Sequence, residues 1–465
     1  SSLYVFVGCV LCFFFLDVLH HLYLLFSLRR QRHKCIRDRY TICPRLSQGF
    51  AVKPRYKDMD IIRMLTIKKI SAAIVIVIAA TAVFNWGNLV NLHKVITLFD
   101  EDKIVHNFTN MNEALPSITV TSSSEPYYFE SAQQSLPESF QFKDQTVAVD
   151  TFLERTNTTA LIVLKGEALT HESYYLGTKA EDKRISWSVA KSFLSAMVGV
   201  AVDQGKINNL NELVTDYAPS LKGSGYDGIT IKNILQMSSG VKFNEDYNDF
   251  FSDINRMGRL LALGGSFDEF AASLEAEREQ GTYLHYVSID THVLGMVLRG
   301  ATGESIADYF KKHLWDKIHP EADTYYLTDE LGEPMVLGGL NMRAVDYLKL
   351  GKLYRDDGRW NGEQVVPASW VKDSTTPDAP HLMPGKRDNS DMELGYGYQW
   401  WLPVNADQEF MALGIYDQFI YVDKKANVVI VKNSANIDFM NNDFESGHES
   451  AEFFRAIVKS LEENK

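Results

Sequence analysis

The chain has 465 residues, 45% of them hydrophobic and 23% charged, which suits one large domain or two ordinary ones and excludes a disordered or collagen-like polymer. Its formal charge of −13 is unevenly divided: residues 1–69 hold 13 Lys and Arg against 4 Asp and Glu, and the remainder holds 34 against 56. An acidic body argues against a nucleic-acid partner, which needs clustered cations to meet phosphates.

Taken from the N-terminus, the first feature is an apolar run from Leu3 to Leu28, ended by Arg29-Arg30-Gln31-Arg32. A second, uncharged run, Ile70 to Trp86, follows Arg63, Lys68 and Lys69. That pattern predicts a signal-anchor or signal peptide with its start in the cytoplasm and all that follows outside. Ala80-Thr81-Ala82 fits a small-x-small cleavage site, so both retention and release stay open. The expected location is the bacterial inner membrane with the body in the periplasm, or the periplasm itself after cleavage. Met59 stands just ahead of the charged-then-apolar start. Residues 1–58 therefore read as an upstream extension with its own apolar segment, and 59–86 as the anchor or signal peptide; a two-span topology is the alternative. The four cysteines, Cys9, Cys12, Cys35 and Cys43, all fall in that extension. The body then has no thiol nucleophile and no thiolate metal site.

Residues 87–150, with Ser122-Ser123-Ser124 and Glu125-Pro126, read as a stalk and lead-in to a domain at 151–465. Thr159 to Leu164 is rich in β-formers, Lys165-Gly166 marks a turn, and Leu169 to Leu176 returns as a second strand. Gln418 to Val422 and Val428 to Lys432 form another pair near the far end. Between them lie helical patterns at Ser188–Gln204, Ile231–Met237, Thr291–Arg299 and Ser305–Leu314, and Glu449–Leu461 closes the chain. Strands at both ends with helices between predict an α+β fold: one antiparallel sheet assembled from N- and C-terminal parts, flanked by helices and carrying a helical insertion. Gly395 to Trp401 reads as a glycine-relieved strand packing aromatic rings.

Ser-x-x-Lys occurs three times, at Ser188/Lys191, Ser239/Lys242 and Ser369/Lys372. A serine and lysine three apart share a helix face, so the amine can reach back to the hydroxyl. Burial would lower the lysine pKa and free the amine to accept the serine proton. Ser188 heads the run Ala190, Phe193, Leu194, Met197, Val198, Ala201, ended by Gly205, which predicts a buried helix. Ser239 precedes Gly240 in a turn, and Ser369 begins a short segment in which Lys372 faces solvent. Ser188 is the preferred candidate, although on this pattern alone an N-cap serves equally well.

Three motifs in order, Ser188-Val-Ala-Lys191, Tyr286-Val-Ser288 and Ala412-Leu-Gly414, resemble those of the class C β-lactamase-like serine hydrolases. The likeness spans residues 150–460 and is similar above all to the 6-aminohexanoate-dimer hydrolase and carboxylesterase branch, through Ser186-Trp-Ser-Val-Ala-Lys-Ser192 and Gly414-Ile-Tyr-Asp-Gln-Phe-Ile-Tyr421. The resemblance implies a β-lactamase/DD-peptidase-like fold, an acyl-enzyme on Ser188, Lys191 as base and Tyr286 as second acid/base. It implies an oxyanion hole from the backbone N–H groups of Ser188 and Ile415, with Tyr247, Ser288, Ala412 and Gly414 on the substrate. It implies no cofactor, and neither His20-His21 nor His448 shows metal-ligand spacing. Two positions depart from the family: Ser288 stands where an asparagine is usual, and Ala412 where β-lactamases carry a lysine that pairs with the substrate carboxylate. The expected activity is hydrolysis of a small, weakly charged ester or amide. A penicillin-binding DD-peptidase or β-lactamase is the alternative enzyme, and a non-catalytic cell-wall-binding or sensor protein the alternative of another class.

Overall fold

The computed structural model describes residues 68–77, 79, 80, 83, 86–439 and 445–463. The chain divides after Ala80 into two units. In the first, residues 68–77 are helical and exposed. Among the described residues no helix is long and apolar enough to cross a membrane, so the spanning helix expected at Ile70–Trp86 finds no support there. The run Leu3–Leu28, Met59 and the four cysteines lie outside the described residues.

The second unit is built on an eight-stranded sheet. Its strands are β1 (Glu130–Ser131), β2 (Thr158–Lys165), β3 (Ala168–Tyr174), β4 (Gly395–Tyr396), β5 (Trp401–Leu402), β6 (Glu409–Gly414), β7 (Gln418–Asp423) and β8 (Val428–Ser434). The order is β4-β5-β6-β7-β8-β2-β3-β1, antiparallel throughout except where β1 joins β3 in parallel. N- and C-terminal strands meet at the β8/β2 pair, Val428↔Lys165 to Lys432↔Leu161. The predicted α+β sheet is thus the one observed, with β3 ending at Tyr174 rather than Leu176.

The central strands are buried at nearly every position and mostly apolar because both faces are covered. Alternate residues divide between two cores: Ala160, Ile162, Leu164, Ile420, Val429 and Val431 on one side, Leu161, Val163, Phe419, Tyr421, Val428 and Ile430 on the other. The first core holds α1 (Ala190–Asp203), α2 (Ser288–Thr302) and α3 (Ala344–Arg355); the second holds α4 (Glu445–Glu463). Helix α1 is buried at every position from Ala190 to Ala201. Ser192 and Ser195 within it donate to the carbonyls of Gln399 and Tyr398, each at 2.7 Å, and Thr291 of α2 donates to Oε1 of Gln399 at 2.8 Å. One loop therefore ties both helices to the sheet. That loop interrupts the strand expected from Gly395 to Trp401, leaving only β4 and β5.

Residues 86–150 are not a stalk. Ser117–Val120 forms the edge of a second, four-stranded sheet by pairing with Thr324–Leu327. Leu98, Ile104, Phe108, Met111 and Leu115 are buried in the main core. The apolar spacing of this stretch was too short and irregular to stand out from its polar surroundings, but it covers apolar surface of the domain.

Gly351 lets α3 lie directly on the sheet: a Cβ there would stand 2.4 Å from Cγ1 of Val429 and 2.8 Å from Cγ2 of Ile420. Gly351→Val is expected to cost about 1–3 kcal/mol through overpacking; thermal unfolding would show it as a lowered Tm, and an unchanged Tm would contradict the packing described.

Candidate active site

The strand Lys183–Ile185 hands the chain to α1 through a sharp bend. Ser186 N–H is anchored to the Leu340 carbonyl at 2.8 Å, and Trp187 takes a left-handed φ of 43°. Ser188 follows inside a 3₁₀ turn, Trp187–Val189, so it is neither in the first α-helical turn nor at a cap. Its hydroxyl opens into a cavity of about 830 Å³ that Tyr286, Trp401, Leu413 and Ile415 also line.

Lys191, one turn on, is 1% exposed. Its Nζ lies 3.0 Å from Ser188 Oγ, donates to the Leu337 carbonyl at 2.7 Å and stands 3.4 Å from Ser288 Oγ. The Leu337 carbonyl is delivered by the turn that begins the Gly338-Gly-Leu-Asn341 stretch, where Gly339 packs so closely that a Cβ would meet Met335 at 2.7 Å. Burial lowers the Lys191 pKa from 10.5 to about 7, against the opposing pull of Glu245 and then Asp290. About half of the amine is therefore neutral at pH 7, and most of it above that.

Tyr286 lies flat on Trp401, with ring centroids 5.3 Å apart and 23° between planes. Lys191 Nζ is 5.3 Å from its ring centre. Burial, followed by the charge of Glu245, pushes the Tyr286 hydroxyl far above its usual pKa, while its hydrogen bond with Ser188 acts the other way. Two groups on either side of one serine hydroxyl thus have pKa values driven apart, one able to take a proton and the other holding its own.

Strand β6 approaches the serine turn at backbone distance. A Cβ on Gly414 would fall 2.7 Å from the Ser186 carbonyl oxygen and 3.0 Å from Ser188 N, so only glycine allows this contact. The β6–β7 turn follows at once, with Tyr416 and Asp417 at φ 59° and 63°. Asn436 donates to Asp417 Oδ2 at 2.7 Å and Gln418 to the Tyr416 carbonyl at 3.0 Å, pinning the turn. Ile415 N–H makes no hydrogen bond to another described residue. From outside, Phe99 stacks on Tyr416 at 5.4 Å and 8°, and Phe108 sits edge-on to both Trp187 and Tyr416.

The structure brings Ser188, Lys191, Tyr286, Tyr247, Gly414 and Ile415 together but moves two expected substrate contacts away from the cavity wall. Ala412 is 1% exposed and pairs with Ile420 inside the sheet, since alternation along β6 turns Leu413 to the cavity instead. Ser288 is also 1% exposed; its side chain faces Lys191 and Glu245. Glu245 is the residue sequence reading missed. Its Oε1 accepts from Ser288 Oγ at 2.6 Å and from Tyr247 at 2.8 Å, and its Oε2 accepts from Ser288 N–H at 3.0 Å. In Phe243-Asn-Glu-Asp-Tyr247 it looked like one acid among several polar neighbours. His285, next to Tyr286 in the chain, bridges Asp391 Oδ2 at 2.5 Å and the Phe243 carbonyl at 2.8 Å, holding the loop that carries Glu245.

A Beta-lactamase family model matches residues 149–446. The 6-aminohexanoate-dimer hydrolase of Paenarthrobacter ureafaciens is 30% identical over 291 residues, 61% of this chain and 74% of that protein. Among solved structures, "Putative 6-aminohexanoate-dimer hydrolase from Bacillus anthracis" shares the fold with a TM-score of 0.71 at 24% identity, over 79% of this chain and 96% of its own. EstCE1, "a hydrolase with promiscuous acyltransferase activity", has the same fold with a TM-score of 0.51 at 15% identity, over 66% of this chain and 96% of that one.

Proposed function

This chain belongs to the Beta-lactamase family and is a serine hydrolase; we propose that it cleaves a small ester or amide through an acyl-enzyme on Ser188, with Lys191 as base and Tyr286 as second acid/base. One observation carries this reading: a buried amine, its pKa lowered to about 7, lies 3.0 Å from a serine hydroxyl that faces a cavity.

In the first step Ser188 Oγ attacks the carbonyl carbon and its proton passes to Lys191 Nζ. The carbonyl π pair moves to oxygen, where the N–H groups of Ser188 and Ile415 receive it. As the tetrahedral species collapses, the bond to the leaving nitrogen or oxygen breaks and Tyr286 donates its proton to that atom. Lys191, now an ammonium 5.3 Å from the Tyr286 ring, restores the phenol. Water then attacks the acyl-enzyme by the reverse route and releases the acid. Tyr286 serves as donor because burial keeps it protonated throughout the neutral range.

The substrate class follows from charge. No cation stands at Ala412, and Glu245, Asp391, Glu393 and Glu445 all face the cavity, whereas its two lysines, Lys143 and Lys386, are paired with Glu445 and Glu393. A β-lactam or D-Ala-ended peptide would bring its carboxylate towards that acidic wall. A neutral or amine-bearing ester or amide would not. Hydrolysis of a 6-aminohexanoate dimer, the activity that names the relative at 30% identity, supports a linear amide, one whose free amine balances its carboxylate. Export to the periplasm belongs to the proposal through the charge pattern of residues 59–86 alone.

Ser188→Ala is expected to lower hydrolysis of a short-chain p-nitrophenyl ester by a factor on the order of 10⁴ or more and to abolish fluorophosphonate labelling; retained labelling would sink the assignment of the nucleophile. Protonation of Lys191 gives the profile its acid limb: kcat/KM should fall about tenfold per pH unit below pH about 7, and a flat profile there would exclude a titrating base. Gly414→Ala forces β6 off the serine turn and should reduce kcat about 100-fold with KM much less affected; a change confined to KM would remove Ile415 N–H from the reaction.

A further inference from the structure

A continuous line of hydrogen bonds leads away from the serine through Lys191. It runs from Ser188 Oγ to Lys191 Nζ at 3.0 Å, to Ser288 Oγ at 3.4 Å, to Glu245 Oε1 at 2.6 Å, and on to the Tyr247 hydroxyl at 2.8 Å. Glu245 closes the arrangement by accepting the Ser288 backbone N–H at 3.0 Å. Ser288 is the first residue of α2, a helix of 15 residues, whose N-terminus favours a carboxylate. Three donors therefore converge on one carboxylate, and its second neighbour along the line is the amine that faces Ser188.

We propose that Glu245 is a positioning residue for the hydrolytic reaction: through Ser288 it holds the Lys191 amine against Ser188 and sets the pH at which that amine is free to take the serine proton. The inference rests on the reading of Ser188 as nucleophile and Lys191 as base.

The surroundings of Lys191 single out Glu245. From the 243–247 loop it is faced by Glu245, with Tyr247 bonded behind; from the segment leading into α2 come Tyr286 and, beneath Ser288, Asp290, on which His285 acts from further out. After burial, Glu245 is the strongest influence on Lys191, ahead of Asp290. Asp290 is fully buried, is engaged by the Tyr226 hydroxyl at 2.8 Å, and has its pKa raised by burial to about 7. Burial raises Glu245 too, but Lys191, both Ser288 donors and Tyr247 all favour its charged form. The short Ser288 side chain also finds its use here. Too buried to reach a substrate, it is the link between carboxylate and amine. The same carboxylate fixes Tyr247, which lines the cavity, so one side chain couples the base to the cavity wall.

The sign of the effect follows. Removing the negative charge disfavours the Lys191 ammonium, lowers its pKa below the wild-type value, and moves the acid limb of activity to lower pH. The amine is also less well held, so the plateau rate falls.

The test is the pH profile of kcat/KM for p-nitrophenyl butyrate, measured on the full chain as wild type, Glu245→Gln, Glu245→Asp and Ser288→Ala, with thermal unfolding of each. Glu245→Gln should shift the acid limb down by about one pH unit and reduce the plateau about tenfold or more. Glu245→Asp, which keeps the charge, should return the limb to its wild-type position. Ser288→Ala should shift it in the same direction as Glu245→Gln, by less. A Glu245→Gln variant that loses rate evenly with its limb unmoved would show a structural role only and overturn the proposal. Should Glu245→Gln fail to fold, an unmoved limb in Ser288→Ala overturns it instead. Fluorophosphonate labelling separates the two levels: a wild type that does not label on Ser188 refutes the nucleophile itself, whereas labelling with unmoved limbs refutes only the part given to Glu245.

Discussion

On the proposed mechanism the amine of Lys191 has to be kept out of water, and the packing around α1 does so. A solvated lysine would hold its proton at neutral pH and could not serve Ser188. At 1% exposure the charged form is left on the order of 5 kcal/mol less favoured relative to the neutral one, even after what Glu245 and Asp290 restore. That burial requires α1 to be enclosed on all sides, which explains why its residues from Ala190 to Ala201 are apolar or small and why Ser192 and Ser195 spend their hydroxyls on carbonyls of the 398–399 loop. A buried amine also needs an acceptor, and the Leu337 carbonyl supplies it.

The second constraint is the approach of β6 to the serine turn. Two chain segments more than 200 residues apart meet at backbone distance because Gly414 has no side chain. The turn that follows is pinned from below by Asn436 and Gln418 and from outside by Phe99 and Phe108, whose rings cover Tyr416 and Trp187. Residues next to each proposed oxyanion donor are thus braced by a segment that precedes the matched family region. Electrostatic stabilisation of this kind depends on donors that are already in place.

Charge around the cavity gives it a direction. Carboxylates line it and its lysines are paired with them, while β6 presents Leu413 to the cavity and hides Ala412. The chemistry proposed for Ser188 would thus take place beside a wall that disfavours a net anionic substrate. Glu245 serves two ends of this arrangement, the base behind the serine and Tyr247 in the wall.

Much of the architecture could be read from the sequence because it is local. Short runs of β-forming residues bounded by turns mark β2, β7 and β8, and the long apolar pattern behind Ser188 marks α1 as buried, which singled out one Ser-x-x-Lys among three. The proximity of Ser188 and Lys191 was legible from residue type and spacing, since two side chains one helical turn apart are near each other whatever the rest of the chain does, and Tyr286 entered through the family resemblance. Tertiary structure alone decided the remainder. Whether Ser288 and Ala412 face a substrate depends on how a helix start and a strand are oriented against their neighbours, and both turned inward. Glu245 became significant only when folding set a polar loop against the start of α2, 43 residues later. The segment 86–150, which composition made look like a stalk, was bound into the fold by pairing and stacking partners distant in sequence. A contact between residues far apart in the chain leaves no periodicity in either of them, so its chemistry is visible only once the backbone has brought them together.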